Sequence, residues 1–119
     1  MSSTKNNLNV IYEDNHLIVV NKRSGDIVQG DKTGDQPLNE VVKDYIKEKY
    51  NKPGDVYLGT VHRLDRPTSG IVIFARTSKA LTRMNKLFVD KNIQKTYWAV
   101  TEKAPSLKIG HLNDWLQKN

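Results

Sequence analysis

The chain has 119 residues, of which 37% are hydrophobic and none is cysteine; that length suits one domain and is short for two, and disulfides and thiolate metal sites are excluded. Its formal net charge of +6 is unevenly placed, with 8 Lys/Arg against 9 Asp/Glu in residues 1–59 and 11 against 4 in residues 60–119. A one-sided basic field fits a phosphate-rich partner, and composition alone allows a merely solubilising surface equally well. The chain lacks any window near 18 uninterrupted apolar residues, so no membrane-spanning helix is expected, and the start MSSTKNNLNV lacks the apolar stretch of a secretory signal. A cytoplasmic location is the expectation that follows.

In chain order, residues 1–8 read as a flexible leader, being small, polar and aperiodic. Residues 9–119 then form the domain. Residues 9–12 and 17–21 read as two strands of a hairpin, joined through the turn chemistry of Glu13, Asp14, Asn15 and His16. Two glycine- and aspartate-rich loops, 24–26 and 30–35, flank a short extended piece at Ile27, Val28 and Gln29. Leu38, Val41, Val42, Tyr45 and Ile46 recur at spacings of three and four and predict a helix over residues 38–50, with Pro37 suited to its first turn. Residues 56–61 read as short and extended. The run IVIFA within residues 70–75 predicts a central strand buried on both faces. Ser78 suits the N-cap of a second helix over residues 79–90, whose apolar stripe is Leu81, Met84, Leu87 and Phe88. A further strand is expected at residues 96–101, with Trp98 turned to the core and Tyr97 to a cleft. Leu112, Trp115 and Leu116 would face a core from a short C-terminal helix.

The chemistry concentrates at VHRLDRPTSGIVIF, residues 61–74. Pro67 restricts the backbone and Gly70 permits close approach or unusual dihedrals, so the loop can hold Asp65 in a fixed direction. A neighbouring arginine would keep Asp65 ionised, as a nucleophile or a general base. The other arginine could reach phosphate or stack on a base. The plain alternative is a surface loop with a local ion pair. Ser69, His62 and Asp65 supply the residue types of a hydrolytic triad, but they crowd one loop without a nucleophile-elbow pattern. Gly25 and Gly30 lack the Lys-Ser/Thr pair of a phosphate-cradling loop. His16, His62 and His111 are too far apart in sequence to form a recognisable metal motif.

The ordered pattern His62-Arg63-Leu64-Asp65, two intervening positions, then Thr68-Ser69-Gly70 resembles the catalytic signature of the RluA-type pseudouridine synthases. IYEDNHLIVVNKRSGDIV resembles that family's opening hairpin, and Lys95-Thr96-Tyr97 its Lys-x-Tyr block, so the likeness runs over residues 10–101. It implies isomerisation of uridine to pseudouridine in rRNA or tRNA: the base leaves C1′ of the ribose, turns, and rejoins through C5. By this resemblance Asp65 is the essential aspartate, attacking C1′ or helping to remove a proton at C2′, and Tyr97 packs against the target base. Arg63 would take the place of the flipped nucleotide, His62 and Arg66 would contact RNA, and Thr68, Ser69 and Gly70 would support the loop. Neither metal nor cofactor is implied.

Two departures accompany the match. Lys22-Arg23-Ser24-Gly25 stands where the family has Lys-Pro-x-Gly. The family's second half, with further strands, a basic group paired to the aspartate and a Thr-Gly-Arg-x-His-Gln-x-Arg stretch, finds no match after Tyr97. The expected fold is therefore α+β, with a partial mixed β-sheet and two amphipathic helices, like the N-terminal half of the synthase domain. Two other functions stay open. One is an RNA-binding module without turnover. The other is an interaction protein that self-associates through its exposed sheet edge.

Overall fold

The computed structural model describes residues 2–30, 33–112 and 116. Its elements are β1 (Val10–Glu13), β2 (Leu17–Lys22), α1 (Leu38–Lys49), β3 (Gly59–Thr60), β4 (Gly70–Ala75) and α2 (Ser78–Val89). The strands form one sheet in the order β1-β2-β4-β3.

The hairpin forms as its turn residues dictate. Asp14 closes it by accepting hydrogen bonds through Oδ1 from the amides of His16 and Leu17, both at 2.7 Å, and through Oδ2 from the Tyr12 hydroxyl at 2.7 Å. These donors, the Tyr12 hydroxyl foremost, lower the Asp14 carboxyl to about 2. A bulge between Val10 and Tyr12 breaks the register of β1. β2 then pairs along its whole length with β4, from Leu17 opposite Ala75 to Lys22 opposite Gly70.

Strand alternation puts Ile18 and Val20 of β2 and Val72 and Phe74 of β4 on one face, where α1 covers them with Leu38, Val42 and Ile46. α1 has Pro37 at its N-cap and no side-chain cap. Its first amides are satisfied instead by the segment expected to be extended: Leu38 N–H donates to the Ile27 carbonyl (2.6 Å) and Asn39 N–H to that of Val28 (3.0 Å). Glu13 fastens the far end of α1 to the hairpin, accepting from Lys49 Nζ and from the hydroxyls of Tyr45 (2.8 Å) and Tyr50 (3.1 Å). α2 begins one residue earlier than the sequence suggests. Thr77, not Ser78, is its N-cap, with Thr77 Oγ1 accepting from the Ala80 amide at 3.1 Å. Leu81 of α2 lies so close to β3 that a Cβ on Gly59 would meet its Cδ2 at 2.9 Å, which is why glycine stands there.

Several expectations are corrected. The segment expected as a strand at residues 96–101 has no strand conformation, and Tyr97 (60% exposed) and Trp98 (97%) stand in solvent, so Trp98 is not core. β-propensity acts through packing and pairing, and among the described residues no strand pairs with this segment. A crossover through α2 would have made that strand parallel to β4; without it, every pairing among the described residues is antiparallel, and the sheet is not mixed. β4 is buried along one face, at Val72 and Phe74, but only in part on the other, where Ala75 is buried, Ile73 half-buried and Ile71 57% exposed. Of residues 56–61 only Gly59–Thr60 is strand, paired with Ala75 and Phe74. Residues 105–112 contain no helix and Leu112 and Leu116 are exposed, while Trp115 lies outside the described residues.

The segment expected as a leader is docked where it is described. Ser3 is buried and donates to Asp26 twice, through its amide to Oδ1 (2.9 Å) and its hydroxyl to Oδ2 (2.6 Å).

Candidate active site

Residues 61–69 form the loop between β3 and β4. Leu64 is half-buried against the core cluster and anchors the loop. Next along the chain, Asp65 is exposed, as are Arg63, Arg66 and Ser69. The Thr68 amide donates to the Asp65 carbonyl at 2.9 Å and closes a turn through Arg66 and Pro67. Gly70 follows at φ +142, a conformation open to glycine, with Leu64 Cδ1 3.6 Å from where a Cβ would be.

The loop is held from below by Lys22, a residue that the sequence reading passed over. Lys22 is 1% exposed, and its ammonium donates to the carbonyls of Arg23 (3.0 Å), Arg66 (2.9 Å) and Thr68 (2.6 Å). All three ammonium hydrogens are thus placed on carbonyls, two of which bracket the turn after Asp65. Burial pushes the Lys22 amine below its usual range, and the negative charges of Asp26 and Asp65 work against that fall. A signal for this was available. Ile18, Val20 and Lys22 share strand parity, so Lys22 belongs to the core face of β2.

Arg66 adds a second tie. Its carbonyl accepts from the Gly25 amide (2.8 Å), its Nε donates to the Gly25 carbonyl (2.9 Å), and its guanidinium pairs with Asp35 (2.5 Å). Gly25 meets this clasp at φ +99, where a side chain would be strained. The expected arginine partner for Asp65 is therefore absent: among the described residues its carboxylate has no hydrogen bond or ion pair. Lys22 is the cation whose field it shares.

His62 is half-buried between β4 and α2. Nε2 accepts the amide hydrogen of Ile73 (3.1 Å), and the ring stacks on Phe88 of α2 with centroids 5.1 Å apart and an interplanar angle of 25°. Burial, followed by the positive charge of Lys95, lowers its pKa. His62 is therefore a neutral ring at pH 7, and its acceptor role places the proton on Nδ1. It serves a β4 amide beyond the reach of β3.

An open cleft of about 560 Å³ runs along this side of β4. It gathers His62, Thr68, Ser69, Gly70 and Tyr97, together with Phe88 and Ile71, while Arg63, Asp65 and Arg66 lie outside its lining. Lys95 Nζ lies 5.4 Å from the centre of the Phe88 ring. Among the described residues no three His, Cys, Asp or Glu side chains converge to hold a metal ion, and no helix is long and apolar enough to cross a membrane.

The exposed Asp65 thus stands on a loop between β3 and the inner strand β4, with Arg63 and Arg66 on either side of it. The family model described as RNA pseudouridylate synthase matches residues 16–119, and the chain belongs to that family. Over 110 residues it is 34% identical to the ribosomal large subunit pseudouridine synthase C of Buchnera aphidicola subsp. Schizaphis graminum, covering 92% of this chain and 33% of that one. It is 38% identical over 93 residues to the tRNA pseudouridine synthase C of Pectobacterium carotovorum, covering 78% of this chain and 23% of that protein. The solved structure of human RNA pseudouridylate synthase domain containing 4 superposes with a TM-score of 0.60 at 24% identity, over 71% of this chain and 30% of that chain, and shows the same fold. The chain thus spans about a third of the length of the Buchnera relative.

Proposed function

We propose that this chain carries the catalytic-aspartate portion of an RNA pseudouridine synthase and acts on uridine in rRNA or tRNA. The observation that carries the reading is the Asp65 loop. A carboxylate is presented to solvent on a turn fixed by Lys22 and Arg66, between two arginines and beside a cleft containing Tyr97. Asp65 is the essential carboxylate in this reading, as nucleophile at C1′ or as base toward C2′. Arg63, exposed and without an ionic partner among the described residues, is the side chain that enters the RNA stack. Tyr97 supports the base from the cleft. His62 acts by holding the β4 edge and stacking on Phe88, and Arg66 by clasping Gly25 and Asp35.

A second reading, RNA binding without turnover, is favoured by one observation: the Asp65 carboxylate lies outside the cleft lining and has no partner among the described residues. Formation of pseudouridine frees the hydrogen at uracil C5, so RNA tritiated there reports turnover directly. Release that is lost in Asp65→Asn supports the synthase. Retained RNA binding with no release above the Asp65→Asn level supports binding alone.

A further inference from the structure

α2 and α1 carry charge in different ways. α1 alternates signs, with Glu40, Asp44 and Glu48 among Lys43, Lys47 and Lys49, and Lys43 lies 3.5 Å from Glu40. α2, SKALTRMNKLFV, has Lys79, Arg83 and Lys86 and no acid anywhere along it. At 100° per residue these three cations fall within an arc of about 60°, on the side away from Ala80, Leu81, Met84 and Phe88. All three are exposed. Lys79 and Arg83 have no ionic partner among the described residues, and Lys86 has only Asp90, 3.5 Å away just past the helix. The stripe spans about 10 Å of helix, a length over which one nucleic-acid strand presents about three phosphates. The helix then leads to the cleft, since Phe88 in its last turn stacks on His62. Leu81 packs on β3, and the apolar residues that α2 leaves exposed, Leu87 and Val89, are confined to its last turn, a short apolar face for an interfacial membrane helix to insert.

We propose that the outer face of α2, through Lys79, Arg83 and Lys86, docks the phosphate backbone of the RNA beside the cleft. This rests on the reading of RNA as the partner and adds a surface away from the Asp65 loop. The contacts are sequence-independent and strengthen binding without touching the reacting nucleotide.

The test is a fluorescence-anisotropy titration of a labelled oligouridine at several salt concentrations. It compares the full chain, the triple variant K79Q/R83Q/K86Q and a charge-matched α1-side control, K43Q/K47Q/K52Q, with circular dichroism confirming the fold of each. The α2 variant is expected to bind about tenfold or more weakly at low salt, with the slope of log K against log [salt] reduced by about 2, and the control to stay near the parent. Equal losses in both variants would make total charge, not the α2 face, the cause and overturn the proposal. An unchanged α2 variant would overturn it too, as would a variant that loses affinity for phosphatidylglycerol vesicles and keeps it for RNA. If the parent chain itself shows no binding at low salt, the RNA reading fails with it. Binding by the parent with an unaffected α2 variant defeats this inference alone.

Discussion

At the scale of single residues, Lys22 and His62 decide how the Asp65 loop sits. Replacing Lys22 by Met keeps an unbranched side chain, one atom shorter, and removes its three hydrogen bonds to carbonyls. Bonds made by a charged donor contribute about 1.5–3 kcal/mol each, and the several kcal/mol spent on dehydrating the ammonium is recovered. A net loss of about 2 kcal/mol is expected in urea unfolding; a loss below about 0.5 kcal/mol would mean that water takes over the carbonyls at little cost. For His62 the sign follows from its lowered pKa. The unfolded chain binds the proton more readily, so the His62 contribution is whole above its unfolded value of about 6.5 and is lost as pH falls from there through the folded pKa. Urea midpoints should fall between pH 7.5 and 5.5 in the parent and fall less in His62→Gln, whose amide oxygen can still accept from Ile73 and does not titrate. Parallel profiles would remove His62 from that role.

Among the elements, local chemistry was legible wherever a segment carries its own partners. The hairpin, α1, β4 and α2 are all readable from turn residues and periodicity, because Asp14 closes its own turn and Leu38, Val42 and Ile46 share one face of their helix. Cap position was harder: Thr77 and Ser78 are both good caps, and only backbone geometry chooses Thr77. Thr77→Ala should therefore cost about 1 kcal/mol in thermal or urea unfolding and Ser78→Ala only a few tenths, and the reverse order would restore the sequence-based assignment. The segment at residues 96–101 was misread because its β-branched and aromatic residues signal a strand only when a neighbour is there to pair with. Of the site, the Asp65 loop was legible as an ordered motif. The Lys22 anchor and the Arg66 clasp to Gly25 and Asp35 were not, since they join residues 31–46 positions apart in sequence.

For the whole molecule, α1 completes the covering of one sheet face, whereas the other side of β4 opens into the cleft with Ile71, Tyr97 and Trp98 exposed. β3 pairs with only the last two residues of β4, and His62 takes the amide of Ile73 beyond it, so a side chain blunts part of an edge that would otherwise invite another strand. Amides at residues 96–101 should exchange with solvent within the shortest labelling time, while those of β2 and β4 are protected; protection at 96–101 would show that the strand forms in solution. The role of Asp65 is decided by tritium release from RNA labelled at uracil C5. The parent chain should release tritium, and Asp65→Asn should abolish the release while RNA affinity is kept. Release that is equal in the two proteins, or absent from both, would contradict that role.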